Sequence, residues 1–285
     1  MLTGNFRAAR RAAAFVTVIL LLVAIYPLAS AFGQRARFAV RRFWSRYTCW
    51  LLGIRVKVRG TVCNEHPTLL VPNHVSYFDV VALGVVTDAT FIAKSEVDGW
   101  PLFGYIARRV GTLFIRRHWR QALIQRNQIA GRMKGGESFV LFAEGTSSNG
   151  LSTKPFKTSL LSVAEPWVLD RPVAAQGVTL SYLRLADGRP FTAATCDLYA
   201  WYDDMAFAPH LWEALKLPGV EIEIDFHPPV LSPVIASRKV LGPELRAMIH
   251  ARLAQLRARE AVNPALSLPE PVTPSCEELP EPVAQ

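Results

Sequence analysis

No charged side chain interrupts residues 12–34, a run of 23 whose centre, Phe15 to Tyr26, holds only aliphatic and aromatic residues, alanine and one threonine. As a helix it extends roughly 35 Å at about 1.5 Å per residue, longer than a hydrocarbon core of about 30 Å. A stretch this apolar needs lipid or a protein interior around it. Arg7, Arg10 and Arg11 precede it, and Arg35, Arg37, Arg41, Arg42 and Arg46 follow, so charge asymmetry sets no orientation. Pro27 kinks such a helix, or ends it and leaves a shorter piece lying in the interface. The main expectation is a retained membrane anchor. A cleaved export signal is a rival, since Ala29-Ser30-Ala31 resembles a small-residue cleavage site, but the arginines beyond argue against export. A buried core helix is the third reading.

The chain of 285 residues has a formal charge of +9, which invites a nucleic-acid partner. The placement of the charge argues against that class. Of the 32 basic residues, eleven lie in residues 1–60 beside no acid, leaving the remainder with 21 basic against 23 acidic groups. Within 35–60, Phe38, Phe43, Trp44, Tyr47 and Trp50 interleave with Arg37, Arg41, Arg42 and Arg46. Rings and guanidinium groups together suit a headgroup layer carrying anionic phosphate. Cys49, Cys63, Cys196 and Cys276 are scattered; neither a disulfide framework nor a zinc set is expected.

Beyond residue 60, short runs rich in β-branched residues predict strands at 68–71, 90–93, 112–115, 138–142, 173–180 and 220–226. Helical spacing covers 120–134, stopped by Gly135-Gly136, and again 240–260. The alternation implies an α/β fold. Three regions follow: a membrane anchor with an interfacial segment at 1–60, a catalytic body at 61–260, and a tail at 261–285. Six prolines and four glutamates from residue 263 onward predict disorder for that tail.

The sharpest chemical signal is Asn73-His74 with Asp79 five positions after the histidine. On one helix that spacing turns the two side chains about 140° apart. They meet only if the segment is a strand-to-helix turn, with Asp79 in the first helical turn. A carboxylate on one imidazole nitrogen then fixes the tautomer and leaves the other nitrogen as a base. The plainer alternative has Asn73 capping the helix and His74 as an ordinary turn histidine.

This segment resembles the first motif of the glycerolipid acyltransferases, the family that includes lysophosphatidate acyltransferase, and further stretches follow in that family's order. Ala93-Lys94-Ser95-Glu96 is similar to the segment after the first motif. Gly111 to Arg117 is similar to the second motif, and Phe142-Ala143-Glu144-Gly145-Thr146-Ser147-Ser148 to the third, with Pro155-Phe156-Lys157 behind it. The resemblance implies a mixed, mainly parallel sheet flanked by helices. It also implies transfer of a fatty acyl chain from a thioester, on acyl carrier protein or coenzyme A, to the hydroxyl of a lysolipid. His74 becomes the general base and Asp79 its orienting partner. Arg117, Arg116, Glu144, Gly145, Thr146, Lys94 and Lys157 become candidates for substrate binding. No G-x-S-x-G elbow accompanies them, so direct transfer without an acyl-enzyme is expected. Neither metal nor cofactor is expected. The implied location is the inner, cytoplasmic membrane with the site on the cytoplasmic side.

Departures bear on the acceptor. Arg116 stands where the second motif commonly has aspartate, Ala175 where a second proline is common, and Ser147 where an arginine is usual. Losing that arginine removes a charge and five donors from a phosphate pocket. The pattern looks more like the bacterial subgroup that acylates lyso-ornithine lipid, whose head is a zwitterionic amino acid. Lysophosphatidate stays open as the alternative acceptor, since Arg116 and Arg117 suit a phosphate. A non-catalytic protein that binds anionic membranes is the alternative from another class. Asp203-Asp204, after Trp201-Tyr202, suggests only a capping role.

Overall fold

The structure, a computed structural model, describes residues 2–100, 103–116 and 118–262. The expected tail lies outside the described residues from 263 onward.

The apolar run folds as α1 (Leu2–Ala31), which continues through Pro27 instead of ending there. It is the one described helix long and apolar enough to cross a membrane, and only 11% of its most apolar window is buried. Gly33, at φ 94°, reverses the chain into α2 (Gln34–Leu52), and the two helices pack as a hairpin. α1 is fastened to the body. The Arg11 guanidinium reaches the carbonyl oxygens of Leu217 at 2.5 Å, Leu215 at 3.2 Å and Pro218 at 3.3 Å. Phe6, Leu20, Leu21, Leu28, Phe43 and Trp50 remain exposed on the pair. Two of the arginines expected at the headgroups are engaged by the protein itself: Arg41 donates to the Ala89 carbonyl at 2.7 Å, and Arg42 pairs with Asp88 at 2.6 Å.

The sheet begins inside the region grouped by sequence with the anchor, at β1 (Ile54–Arg59). It continues with β2 (Thr68–Pro72), β3 (Thr90–Lys94), β4 (Leu113–Ile115), β5 (Phe139–Val140), β6 (Ala174–Leu185), β7 (Val220–Phe226) and β8 (Val230–Leu231). The order is β1-β7-β6-β2-β5-β3-β4, with β8 on β6. The neighbours β6, β2, β5, β3 and β4 are all parallel, and β6 runs antiparallel to β7. Helices α3 (Phe78–Val86), α4 (Ser95–Asp98), α5 (Phe103–Arg109), α6 (Ala122–Lys134), α7 (Phe207–Lys216) and α8 (Arg238–Val262) complete the α/β layers.

Strands covered on both faces read as continuous apolar runs, which is why β2 has no alternation. Leu70 enters one buried cluster, with α2, α3 and α7, while Leu69 and Val71 enter the other, with α6 and α8. β7 is different. Its alternating Glu221, Glu223 and Asp225 look like a wetted face, yet all three are buried. Arg252 and Arg259 of α8 cover them, at 3.2 and 2.9 Å from Glu223, and Lys57 pairs with Glu221 at 2.6 Å. Paired and hydrogen-bonded, buried charges of this kind are tolerated.

Candidate active site

In an open parallel sheet, ligands gather beyond the carboxyl ends of the strands. Six of the predicted site residues leave four adjacent parallel strands at those ends. His74 follows β2, Glu144 to Thr146 follow β5, Lys94 ends β3 and Arg116 follows β4. Arg117 lies outside the described residues.

β2 stops at Pro72, and the next side chain prolongs its pairing. Asn73, fully buried, donates Nδ2 to the Leu180 carbonyl at 2.9 Å and accepts the Leu180 N–H on Oδ1 at 2.7 Å. Its amide acts as one more peptide unit between β2 and β6. It does not cap α3, whose first turn carries Asp79 instead.

The turn brings His74 and Asp79 together, with Nδ1 and Oδ2 2.8 Å apart. The same Oδ2 accepts the backbone N–H groups of Val75 at 2.7 Å and Ser76 at 3.0 Å, and Oδ1 accepts the Tyr182 hydroxyl at 2.7 Å. Four donors therefore converge on one fully buried carboxylate, which compensates its desolvation. Burial, reinforced by the Asp79 charge, holds the Tyr182 phenol well above its ordinary range and keeps it a donor. The imidazole lies on Phe142, ring centroids 4.0 Å apart, leaving Nε2 as the nitrogen available to substrate.

Glu144 sits differently from its expected role at the acceptor. It is 2% exposed, and its two oxygens take the backbone N–H groups of His74 and Lys154, each at 3.2 Å. It splices the loop after β2 to the loop after β5. Burial pushes its carboxyl up to about 7, and the charge of Asp79 adds to the shift against those two N–H donors. Because the folded value exceeds the unfolded one of 4.5, folded chains hold this proton more tightly. Its contribution to stability is full below about pH 4.5 and disappears as pH rises through about 7. Glu144→Gln should therefore flatten the fall in stability across that window, on the order of 2–3 kcal/mol. Urea midpoints for both proteins at pH 5 and 7.5 check this; parallel slopes would refute it.

Gly145 follows at φ 75°, a backbone state that favours glycine. A Cβ here would lie 2.9 Å from Lys157 Nζ, so the glycine also makes room for that ammonium. Thr146 is exposed, whereas Ser147 is buried with its hydroxyl donated to the Trp201 carbonyl. Ser148 holds the loop from the other side, donating its N–H to the His74 carbonyl at 2.9 Å.

These loops open on a cavity of about 900 Å³. Phe15 and Ile19 of α1, Val81 of α3 and Ile106 of α5 give it apolar walls. His74, Lys94, Arg116, Gly145, Thr146 and Lys157 supply polar ones. Lys94 pairs with Glu96 at 3.1 Å, while no carboxylate lies within 4 Å of Lys157 Nζ among the described residues. No three histidine, cysteine or carboxylate side chains gather as a metal set among the described residues. Sequence reasoning missed Tyr182, Leu180 and the Trp201 segment. They reach the dyad from 103 or more residues away, and no local spacing signals them.

Comparison with known proteins agrees with this architecture. Residues 54–176 match the family model described as Acyltransferase. The chain is 35% identical over 256 residues to the lyso-ornithine lipid O-acyltransferase of Rhizobium meliloti, covering 87% of each. It is 29% identical over 170 residues to the 1-acyl-sn-glycerol-3-phosphate acyltransferase of Neisseria gonorrhoeae, covering 59% of this chain and 62% of that one. The crystal structure of the 1-acyl-sn-glycerophosphate acyltransferase of Thermotoga maritima superposes with a TM-score of 0.66 at 19% identity, over 90% of this chain and 96% of that one. With this fold, and with such identity to a relative over most of both chains, the protein belongs to the acyltransferase family.

Proposed function

We propose that this O-acyltransferase moves a fatty acyl chain from a thioester of acyl carrier protein or coenzyme A to the free hydroxyl of lyso-ornithine lipid. The observation that carries the reaction is the His74–Asp79 pair at the wall of a largely apolar cavity. His74 Nε2 removes the acceptor hydroxyl proton as that oxygen attacks the thioester carbonyl carbon. Asp79, 2.8 Å from Nδ1, stabilises the imidazolium that forms. The tetrahedral intermediate then expels the thiolate, which takes the proton from the imidazolium. The products are an ester and a free thiol, and the base is regenerated.

Two facts favour the amino-acid head over a phosphate. The lyso-ornithine lipid enzyme of Rhizobium meliloti matches over far more of the chain than the glycerophosphate enzyme of Neisseria gonorrhoeae does. Ser147 also presents a short hydroxyl, already engaged with Trp201, in place of a phosphate-binding arginine. Lysophosphatidate is the second reading, favoured by Lys94, Arg116 and Lys157 on the cavity wall. α1 and α2 keep the protein on the cytoplasmic face of the inner membrane. Their exposed Phe6, Leu20, Leu21, Leu28 and Trp50 enter the lipid, while Arg11 ties α1 to the body.

Purified protein in mixed micelles, offered labelled acyl thioester with each lysolipid, tests the assignment. The expected result is at least about tenfold higher kcat/KM for lyso-ornithine lipid, a difference of about 1.4 kcal/mol in transition-state binding. A preference for lysophosphatidate would overturn the acceptor, and transfer to neither would overturn the reaction.

A further inference from the structure

The cavity wall holds two acids among its basic residues, Glu96 and Asp203. Their situations differ. Glu96 is engaged with Lys94 Nζ and with the Ser95 hydroxyl, both at 3.1 Å. The Asp203 side chain is 69% exposed and meets Lys154 Nζ at 3.5 Å, longer than a direct hydrogen bond, while that ammonium donates at 2.9 Å to the Ser147 carbonyl. Asp203 therefore keeps acceptor capacity facing the cavity.

Its placement is over-determined. Asp203 has φ 50°, the one positive value at a non-glycine among the described residues. Strained backbone of this kind persists where the surroundings impose it, and often at ligand sites. Here the surroundings are the active-site loops themselves. Trp201 donates its N–H to the Val75 carbonyl at 3.0 Å, next to His74. Its own carbonyl accepts the Ser147 hydroxyl, next to Thr146. Beyond the turn, the Trp201 indole donates to the Met205 carbonyl at 2.8 Å. A carboxylate is thus held on a turn bonded to both loops that frame the dyad.

We propose that Asp203 is a specificity-determining residue that binds the side-chain ammonium of the acceptor's ornithine head; this rests on the lyso-ornithine lipid reading above. An ornithine head carries an ammonium and a carboxylate, and this wall offers a match for both: Asp203 for the cation, Lys157 and Arg116 for the anion. A phosphomonoester brings no cation, and Asp203 repels it. One residue thereby attracts the right head and disfavours the wrong one.

The test compares lyso-ornithine lipid with its side-chain N-acetyl analogue, which keeps the reacting hydroxyl and the carboxylate but has no cation. Wild-type protein should prefer the free amine by about tenfold or more in kcat/KM, the scale of one hydrogen bond to a charged group. Asp203→Asn, whose side chain also tolerates a left-handed backbone, should bring the ratio close to one, and Glu96→Gln should leave it high. An undiminished ratio in Asp203→Asn, or its collapse in Glu96→Gln, overturns the assignment. So does equal use of both lipids by the wild type, whatever the variants do. If the wild type acylates neither ornithine lipid, the acceptor reading fails and Asp203's role goes with it.

Discussion

His74→Ala should lower kcat for acyl transfer by about 10²–10⁴-fold, the usual contribution of a positioned general base. KM should move little. The reason lies in what the truncation leaves behind. The loop is held by backbone groups: His74 N–H on Glu144, Val75 and Ser76 N–H on Asp79, and the His74 carbonyl under Ser148. None of these bonds involves the imidazole. Asp79 loses one donor of four and the cavity gains space, while its apolar walls are untouched. Steady-state kinetics on membranes or micelles check this. More than a tenth of wild-type kcat in His74→Ala would remove His74 from the mechanism.

The second large effect separates charge from shape. Asp79→Asn can place its oxygen where Oδ2 stood and still accept from His74, Val75 and Ser76. Its amide nitrogen then faces Tyr182, whose hydroxyl turns to accept, with the Ser76 hydroxyl beside it. The fold should survive and the tautomer persist. Only the negative charge opposite the forming imidazolium disappears, and kcat should fall about 10²-fold, as expected when a charge-assisted bond becomes a neutral one. Asp79→Ala differs in kind. It strands two backbone donors and a phenol in the interior, at about 1–3 kcal/mol each, so the protein should unfold at markedly lower denaturant. Equal unfolding midpoints for the two variants, or full activity in Asp79→Asn, would contradict this account.

The parts of the site legible in the sequence are those within one turn of chain. His74 and Asp79 are five residues apart, and the apolar strand before them announces the turn that joins them. Gly145 likewise signals its own tight turn. Tyr182 and Leu180 give no such sign, since they read as ordinary strand residues until β6 pairs with β2. Glu144 shows a different failure. Its motif marks it as important, but burial and two backbone N–H partners make it a splice between loops and not a wall of the cavity. For the fold, continuous apolar runs located β2 and β6. Alternation was passed over once. Ile54-Arg55-Val56-Lys57-Val58-Arg59 passed as interfacial sequence although it pairs in parallel with β7. The acids of β7 look solvated until the arginines of α8, distant in sequence, cover them.

The long strand β6 also sets an order of events during synthesis. A ribosome adding about 5–20 residues per second completes α1 and the His74–Asp79 turn several seconds before Tyr182 exists. In that interval Asn73 has no Leu180 to bridge to, and the Asp79 carboxylate lacks its phenol. Arg11 has no Leu217 or Pro218 carbonyl to hold until more than 200 further residues are made. The nascent apolar helix thus meets its surroundings before any active site exists. The enzyme becomes competent only once the middle of the sheet closes over a dyad whose residues were made long before.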